Sequence, residues 1–253
     1  AQMQFCLQVE RQAFRPLGLD NRDVLAGDDI LEGRQFLLGD VLAVIHVHPH
    51  PAQRFGFRNR GDGEEDRESP LLLLDEVTPE AKAIGAVNTI RVERSPDNMH
   101  GYRLVGHNTD YEGFKESIAP LLNPTKHRNA LALGTGGASK AVTSALTDMG
   151  IGWKLVSRTP AEEQLGYDEL SPEMLKSYTV IINATPVGTF PNVNQCPPIL
   201  YDCLTTDHLL YDLVYNPEET LFLKKGKERR TSIKNGREML ERQAFVAWDF
   251  WNE

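Results

Sequence analysis

Residues 1–68 contain no lysine, serine, threonine or tyrosine, yet hold eight arginines. The rest of the chain uses all of these residues in ordinary numbers, so the first quarter stands apart. The 253-residue chain also lacks an apolar run long enough to cross a bilayer. Glu10 and Arg11 interrupt the opening stretch where a secretory core would lie, so no leader is expected and the reading is cytoplasmic. Cysteine is scarce. Cys6, Cys196 and Cys203 form an odd, scattered set without a Cys-x-x-Cys pair, which predicts reduced thiols rather than a disulfide framework. Basic charge is short as well. A net charge of −9 argues against a nucleic-acid or anionic-membrane partner, since both need clustered Lys and Arg. His46, His48 and His50 alternate as ligands on one strand face would. Pro49 and Pro51 oppose a regular strand there, so no metal is expected.

From Thr78 onward the local signals agree. Thr78-Pro79-Glu80 is a helix start with Gly85 as its stop, and Ala86 to Val92 reads as a strand. Ser95 to Asn98 is a turn before a second strand, Gly101 to Val105. Thr109 to Glu112 is a capping box opening a helix through Phe114 and Ile118. Strands are predicted at 130–133, 153–157, 179–183, 209–214 and 231–234. Helices are predicted at 138–149, 217–228 and 236–251. This alternation predicts an α/β fold with a parallel sheet covered on both faces.

Leu131 to Ser139 reads Leu-Ala-Leu-Gly-Thr-Gly-Gly-Ala-Ser, a strand running into a helix through glycines. Gly134 suits the tight turn. Gly136 and Gly137 let the backbone approach a pyrophosphate at the helix N-terminus. The next predicted strand ends in Ser157-Arg158-Thr159. Arg158 stands 22 residues beyond Gly136, where an NAD site would carry an acid. A guanidinium flanked by hydroxyls favours a 2′-phosphate, so the expected cofactor is NADP. A solvated surface arginine is the plain alternative.

Six strings in order resemble shikimate dehydrogenase over about residues 70–253, with the wording of the compact Bacteroidetes-type form. They are Gly85-Ala86-Val87-Asn88-Thr89, Gly106-His107-Asn108-Thr109-Asp110, the glycine turn, Asn183-Ala184-Thr185-Pro186-Val187-Gly188, Tyr211 to Pro217, and Asn235-Gly236 through Gln243-Ala244. The resemblance implies two domains. Residues 1–106 with 236–253 would bind substrate, and 107–235 would form a Rossmann-type NADP domain. It implies reversible reduction of 3-dehydroshikimate to shikimate, with nicotinamide supplying the hydride and the protein managing the proton. It implies substrate contacts from Asn88, Asp110, Tyr215 and Gln243, with Asp110 also in the acid–base pair. It implies a nucleotide site lined by Gly134, Gly136, Gly137, Ala138, Ser157, Arg158, Thr159, Ala184, Thr185, Leu213 and Gly236, in a monomer or homodimer.

Residues 6–69 do not match. The family's Ser-x-Ser pair is absent, although Phe5 and Leu7 fit its opening strand. Counting back from Asp75 puts Arg67 where the family carries its proton-transfer lysine, and the first lysine here is Lys82. Arginine holds its proton too tightly for that task. Length kept while motifs and four residue types vanish reads as a shifted reading frame. The same departure leaves a second reading open, an NADP-binding protein without dehydrogenase activity.

Overall fold

The computed structural model describes residues 36–38, 41–44, 74–94 and 102–253. They gather into two units. One holds Asp110–Val246; the other holds the described residues up to Thr109 together with Ala247–Glu253. Among the described residues, no helix is long and apolar enough to cross a membrane.

The smaller unit is a five-stranded mixed sheet. Its strands are β1 (Phe36–Leu38), β2 (Val41–Val44), β3 (Glu76–Val77), β4 (Thr89–Arg94) and β5 (Tyr102–His107), in the order β1-β2-β4-β5-β3. Only β3 and β5 run parallel. Helix α1 (Pro79–Ile84) is delimited as its sequence predicts. The Thr78 hydroxyl accepts from the Ala81 N–H at 3.3 Å, and Gly85 closes the helix at φ 70°. The strand predicted from Ala86 begins three residues later. Ala86 is claimed by other partners: its N–H donates to Ala81 and its carbonyl accepts from the Asn108 amide. The C-terminal residues of the chain dock in this unit. The Arg91 guanidinium lies 4.6 Å over the Phe250 ring and donates to the Phe250 carbonyl at 2.5 Å. His107 stacks on the same ring at 4.8 Å.

The larger unit is a six-stranded, wholly parallel sheet. Its strands are β6 (Asn129–Leu133), β7 (Gly152–Ser157), β8 (Leu165–Gly166), β9 (Val180–Asn183), β10 (Leu209–Asp212) and β11 (Ser232–Lys234). Their order is β11-β10-β9-β6-β7-β8. The helices are α2 (Asp110–Ile118), α3 (Gly137–Asp148), α4 (Pro172–Ser177), α5 (Leu221–Glu228) and α6 (Arg237–Asn252), the last belonging to this unit only up to Val246. Period-two alternation sorts the strand residues onto two faces. Ala130, Ala132, Val180, Ile182, Leu209 and Tyr211 pack with α2, α3 and Met239 of α6. Leu131, Leu133, Ile181 and Leu210 pack with α4 and α5. Both faces are therefore dry, which is why these strands read as continuous apolar runs.

Two predicted bounds in this unit move by more than one residue. The helix expected from Pro217 starts at Leu221, because the Thr220 hydroxyl is the group that accepts an N–H of its first turn. The strand expected to reach Val214 stops at Asp212, because the Val214 N–H turns to the Asp212 carboxylate at 3.0 Å. The two-residue β8 and six-residue α4 were not predicted; both are too short to carry a period.

Candidate functional site

Counting β6 as the first strand, the order across the larger sheet is 3-2-1-4-5-6. That is the doubly wound order, and the chain's direction across the sheet reverses beside β6. Ligands of such sheets sit outside the carboxyl ends of the strands at that reversal. All eleven residues expected at the nucleotide lie on this edge. Gly134 to Ala138 follow β6, Ser157 to Thr159 end β7, and Ala184 and Thr185 follow β9. Leu213 follows β10, and Gly236 lies two residues beyond β11.

The turn after β6 demands its glycines. Gly134 has φ +110°, a conformation that side chains oppose. A Cβ there would also press on Thr185 Cγ2 at 2.9 Å and the Ala184 carbonyl oxygen at 3.1 Å. Gly136 is the N-cap of α3 with no side-chain cap bond, and α3 has no acid in its first turn. A Cβ on Gly136 or Gly137 would meet nothing within 4 Å. Open space therefore faces uncapped backbone N–H groups at the positive end of a twelve-residue helix, which fits a pyrophosphate. Ser139 is buried, and its hydroxyl donates to the Gly136 carbonyl at 2.6 Å, drawing the turn tight.

One strand away, the Ser157 hydroxyl accepts from the Thr159 N–H at 3.2 Å and shapes the bend after β7. Arg158 is exposed there, with no hydrogen bond or ion pair among the described residues. A solvent-facing guanidinium beside the glycine turn suits a 2′-phosphate, and nothing acidic in this bend would repel one.

The remaining loops are pinned to the sheet. The Ala184 N–H donates to the Leu133 carbonyl at 2.9 Å, and the Leu213 N–H to Asn183 at 3.0 Å. Gly236 is buried, and a Cβ on it would collide with the Leu213 carbonyl. Two of the expected nucleotide contacts are thus in direct backbone contact.

The residues expected on the substrate are distributed over both units. Asp110, 5% exposed, is the first residue of α2 in the larger unit. Gln243 lies on α6 in the same unit, its Cβ 3.0 Å from where a Cβ on Gly113 of α2 would stand. So α2, which Asp110 opens, packs closely on the helix that carries Gln243. Tyr215 is half-buried, three residues past β10. Asn88 belongs to the smaller unit and is 7% exposed. Its amide is engaged with Thr109: it donates to the hydroxyl at 3.1 Å and accepts from the N–H at 2.8 Å. It thereby fixes the residue that precedes Asp110. Arg67, Phe5 and Leu7 lie outside the described residues, as do His46, His48 and His50.

Three buried polar residues on the nucleotide edge were not singled out from sequence: Asn183, Asp212 and Thr220. The signal was present. Val-Ile-Ile-Asn and Leu-Leu-Tyr-Asp each end a buried strand on a polar side chain, which must find partners.

No protein-family model matches the chain. It is 36% identical over 211 residues to the NADP(+) shikimate dehydrogenase of Carboxydothermus hydrogenoformans, spanning 78% of this chain and 73% of that one. It is 39% identical over 196 residues to the shikimate dehydrogenase of Clostridium beijerinckii, spanning 74% and 69%. Among solved structures it resembles the Thermus thermophilus shikimate 5-dehydrogenase in complex with NADP(H) and shikimate. That match has 34% identity and a TM-score of 0.58 over 72% of this chain and 67% of that one.

Proposed function

Because the chain belongs to the shikimate dehydrogenase family of NADP-dependent oxidoreductases, we propose that it interconverts 3-dehydroshikimate and shikimate with NADP(H), in the cytoplasm, on the route to aromatic amino acids. One observation carries this reading. The eleven residues expected for the nucleotide all fall on the carboxyl edge of a parallel sheet in doubly wound order. In this reading residues 107–235 hold the nucleotide, and 1–106 with 236–253 hold the substrate. The α3 N-terminus and its glycines take the pyrophosphate, and Arg158 with Ser157 and Thr159 takes the 2′-phosphate. NADPH supplies the hydride when bound. Asp110, at the positive end of α2, orients a substrate hydroxyl and stabilises the neighbouring cation of the acid–base pair. Asn88, Tyr215 and Gln243 hold the substrate's polar groups.

Arg67 at the expected lysine position favours a second reading, nucleotide binding without turnover. Calorimetric titration with NADPH and NADH tests what the two share. NADPH should bind at least about tenfold more tightly, since a charge-assisted contact is worth about 1.5–3 kcal/mol. Equal binding of both, or of neither, would sink both readings. Shikimate-dependent NADP+ reduction then separates them.

A further inference from the structure

We propose that Asp212 is a positioning residue for the dinucleotide turn, acting through Asn183 and Thr185 on Gly134. The inference rests on the reading of this edge as the NADP site. Asp212 ends β10 and is completely buried. Its carboxylate accepts three hydrogen bonds: from the Asn183 amide at 2.9 Å, the Val214 N–H at 3.0 Å and the Thr220 hydroxyl at 2.5 Å. A carboxylate only accepts, so it dictates which end of the Asn183 amide faces it. The NH2 must point to Asp212, which turns the amide oxygen to the other side. There that oxygen accepts from the Thr185 N–H at 3.1 Å and the Thr185 hydroxyl at 2.6 Å. Thr185 so held puts its methyl 2.9 Å from where a Cβ on Gly134 would stand, forming the wall against which the glycine turn is folded. The same NH2 also donates to the Val187 carbonyl at 3.3 Å, so without an acceptor at 212 the amide keeps its sense but loses its shorter anchor, and its hold on Thr185 loosens.

Three loops of the nucleotide edge, after β6, β9 and β10, are thus tied to one carboxylate. Thr220 adds the start of α5, because its hydroxyl also accepts from the Leu223 N–H at 3.4 Å. The cost of keeping the group there is visible. Burial pushes the Asp212 carboxyl up to about 7, against the three bonds that favour its charged form. A purely packing role would be served more cheaply by an apolar side chain.

The test is an NADPH fluorescence titration of the full chain at pH 8, with Asp212→Leu, Asp212→Asn and Thr220→Val. Binding by the parent chain is the first check; its failure overturns the NADP reading and this inference together. With the parent binding, Asp212→Leu should weaken NADPH by about tenfold or more, the equivalent of one lost buried hydrogen bond. Asp212→Asn should recover most of the affinity, since its amide oxygen can still accept from Asn183 and Val214. Thr220→Val loses the shortest bond to the carboxylate and should weaken NADPH by about threefold. It decides the matter if the leucine variant does not fold. In turnover, the KM for NADP should rise while kcat at saturating NADP and the KM for shikimate hold. Unchanged NADPH affinity in Thr220→Val and in a folded Asp212→Leu would overturn the proposal. So would equal losses in kcat and in both KM values, which mark general damage.

Discussion

His127 and Asp212 titrate in opposite senses, and the sequence alone does not say so. Burial holds the His127 imidazole below its ordinary value near 6.5. Its Nδ1 accepts from the Asn123 N–H at 2.9 Å and its Nε2 faces the Asp207 carbonyl at 3.2 Å, an arrangement that needs the neutral ring. A depressed folded value means that its stabilisation is present above pH 6.5 and is lost as pH falls through the lower value. Asp212 is raised from 3.8 to about 7. Its contribution is therefore greatest below pH 4 and is lost as pH rises through 7. Thermal melts should show His127→Gln losing most relative to the parent near pH 7.5 and least near pH 5. Asp212→Asn should compare worst with the parent near pH 4 and improve steadily towards pH 8. Flat difference profiles would refute both assignments. At the turn, Gly134→Ala should lower the melting temperature, because φ +110° costs a side chain about 1–3 kcal/mol, and should weaken NADPH as well. Arg158→Glu should remove the preference for NADPH over NADH while leaving the melting temperature within a few degrees, because the side chain is exposed. Arg158 and the glycines were legible in sequence because of their spacing within one strand–helix–strand unit. Asp212 was quoted only as part of a string, because its role depends on Asn183, 29 residues away.

Elements were legible where they are long or capped. Thr78 and Gly85 bracket α1 as expected, and the apolar runs of β6, β9 and β10 proved to be buried on both faces. The errors fell at ends decided by side-chain bonds rather than by the backbone pattern: the Asn108 amide at Ala86, the Asp212 carboxylate at Val214 and the Thr220 hydroxyl at Leu223. Helix–helix contact was not legible at all. Gly113 reads as a weak spot in α2, yet α6 lies directly against it. A Cβ there would stand 2.9 Å from the Met239 carbonyl. Gly113→Ala gains about 1 kcal/mol of helix propensity but forces backbone apart, which costs about 1–3 kcal/mol, so the clash wins. Urea unfolding should show a net loss of about 1 kcal/mol, and a gain would refute the close packing. On the smaller sheet, Arg91→Ala removes both the stack on Phe250 and the bond to its carbonyl. Faster amide exchange in residues 247–253 is expected, and unchanged exchange there would contradict the docking.

At the scale of the whole chain, the break in composition near residue 69 is the largest fact in the sequence. It leaves the order of the parallel sheet and the nucleotide edge untouched, since both are built from residues 129–236. It falls on the serine pair and the lysine that the family uses on substrate. A peptide map of residues 1–69 showing the family's Thr-x-Pro-x-Lys string would place the departure in the reading frame; peptides matching the sequence as written would place it in the protein. The account's central claim is tested most directly by the rate of NADP+ reduction on adding shikimate to the purified chain. Absorbance growth that needs both shikimate and NADP+, and that is far weaker with NAD+, is the predicted result. Bound NADP+ with no shikimate-dependent reduction would contradict it and leave a nucleotide-binding protein that performs no hydride transfer.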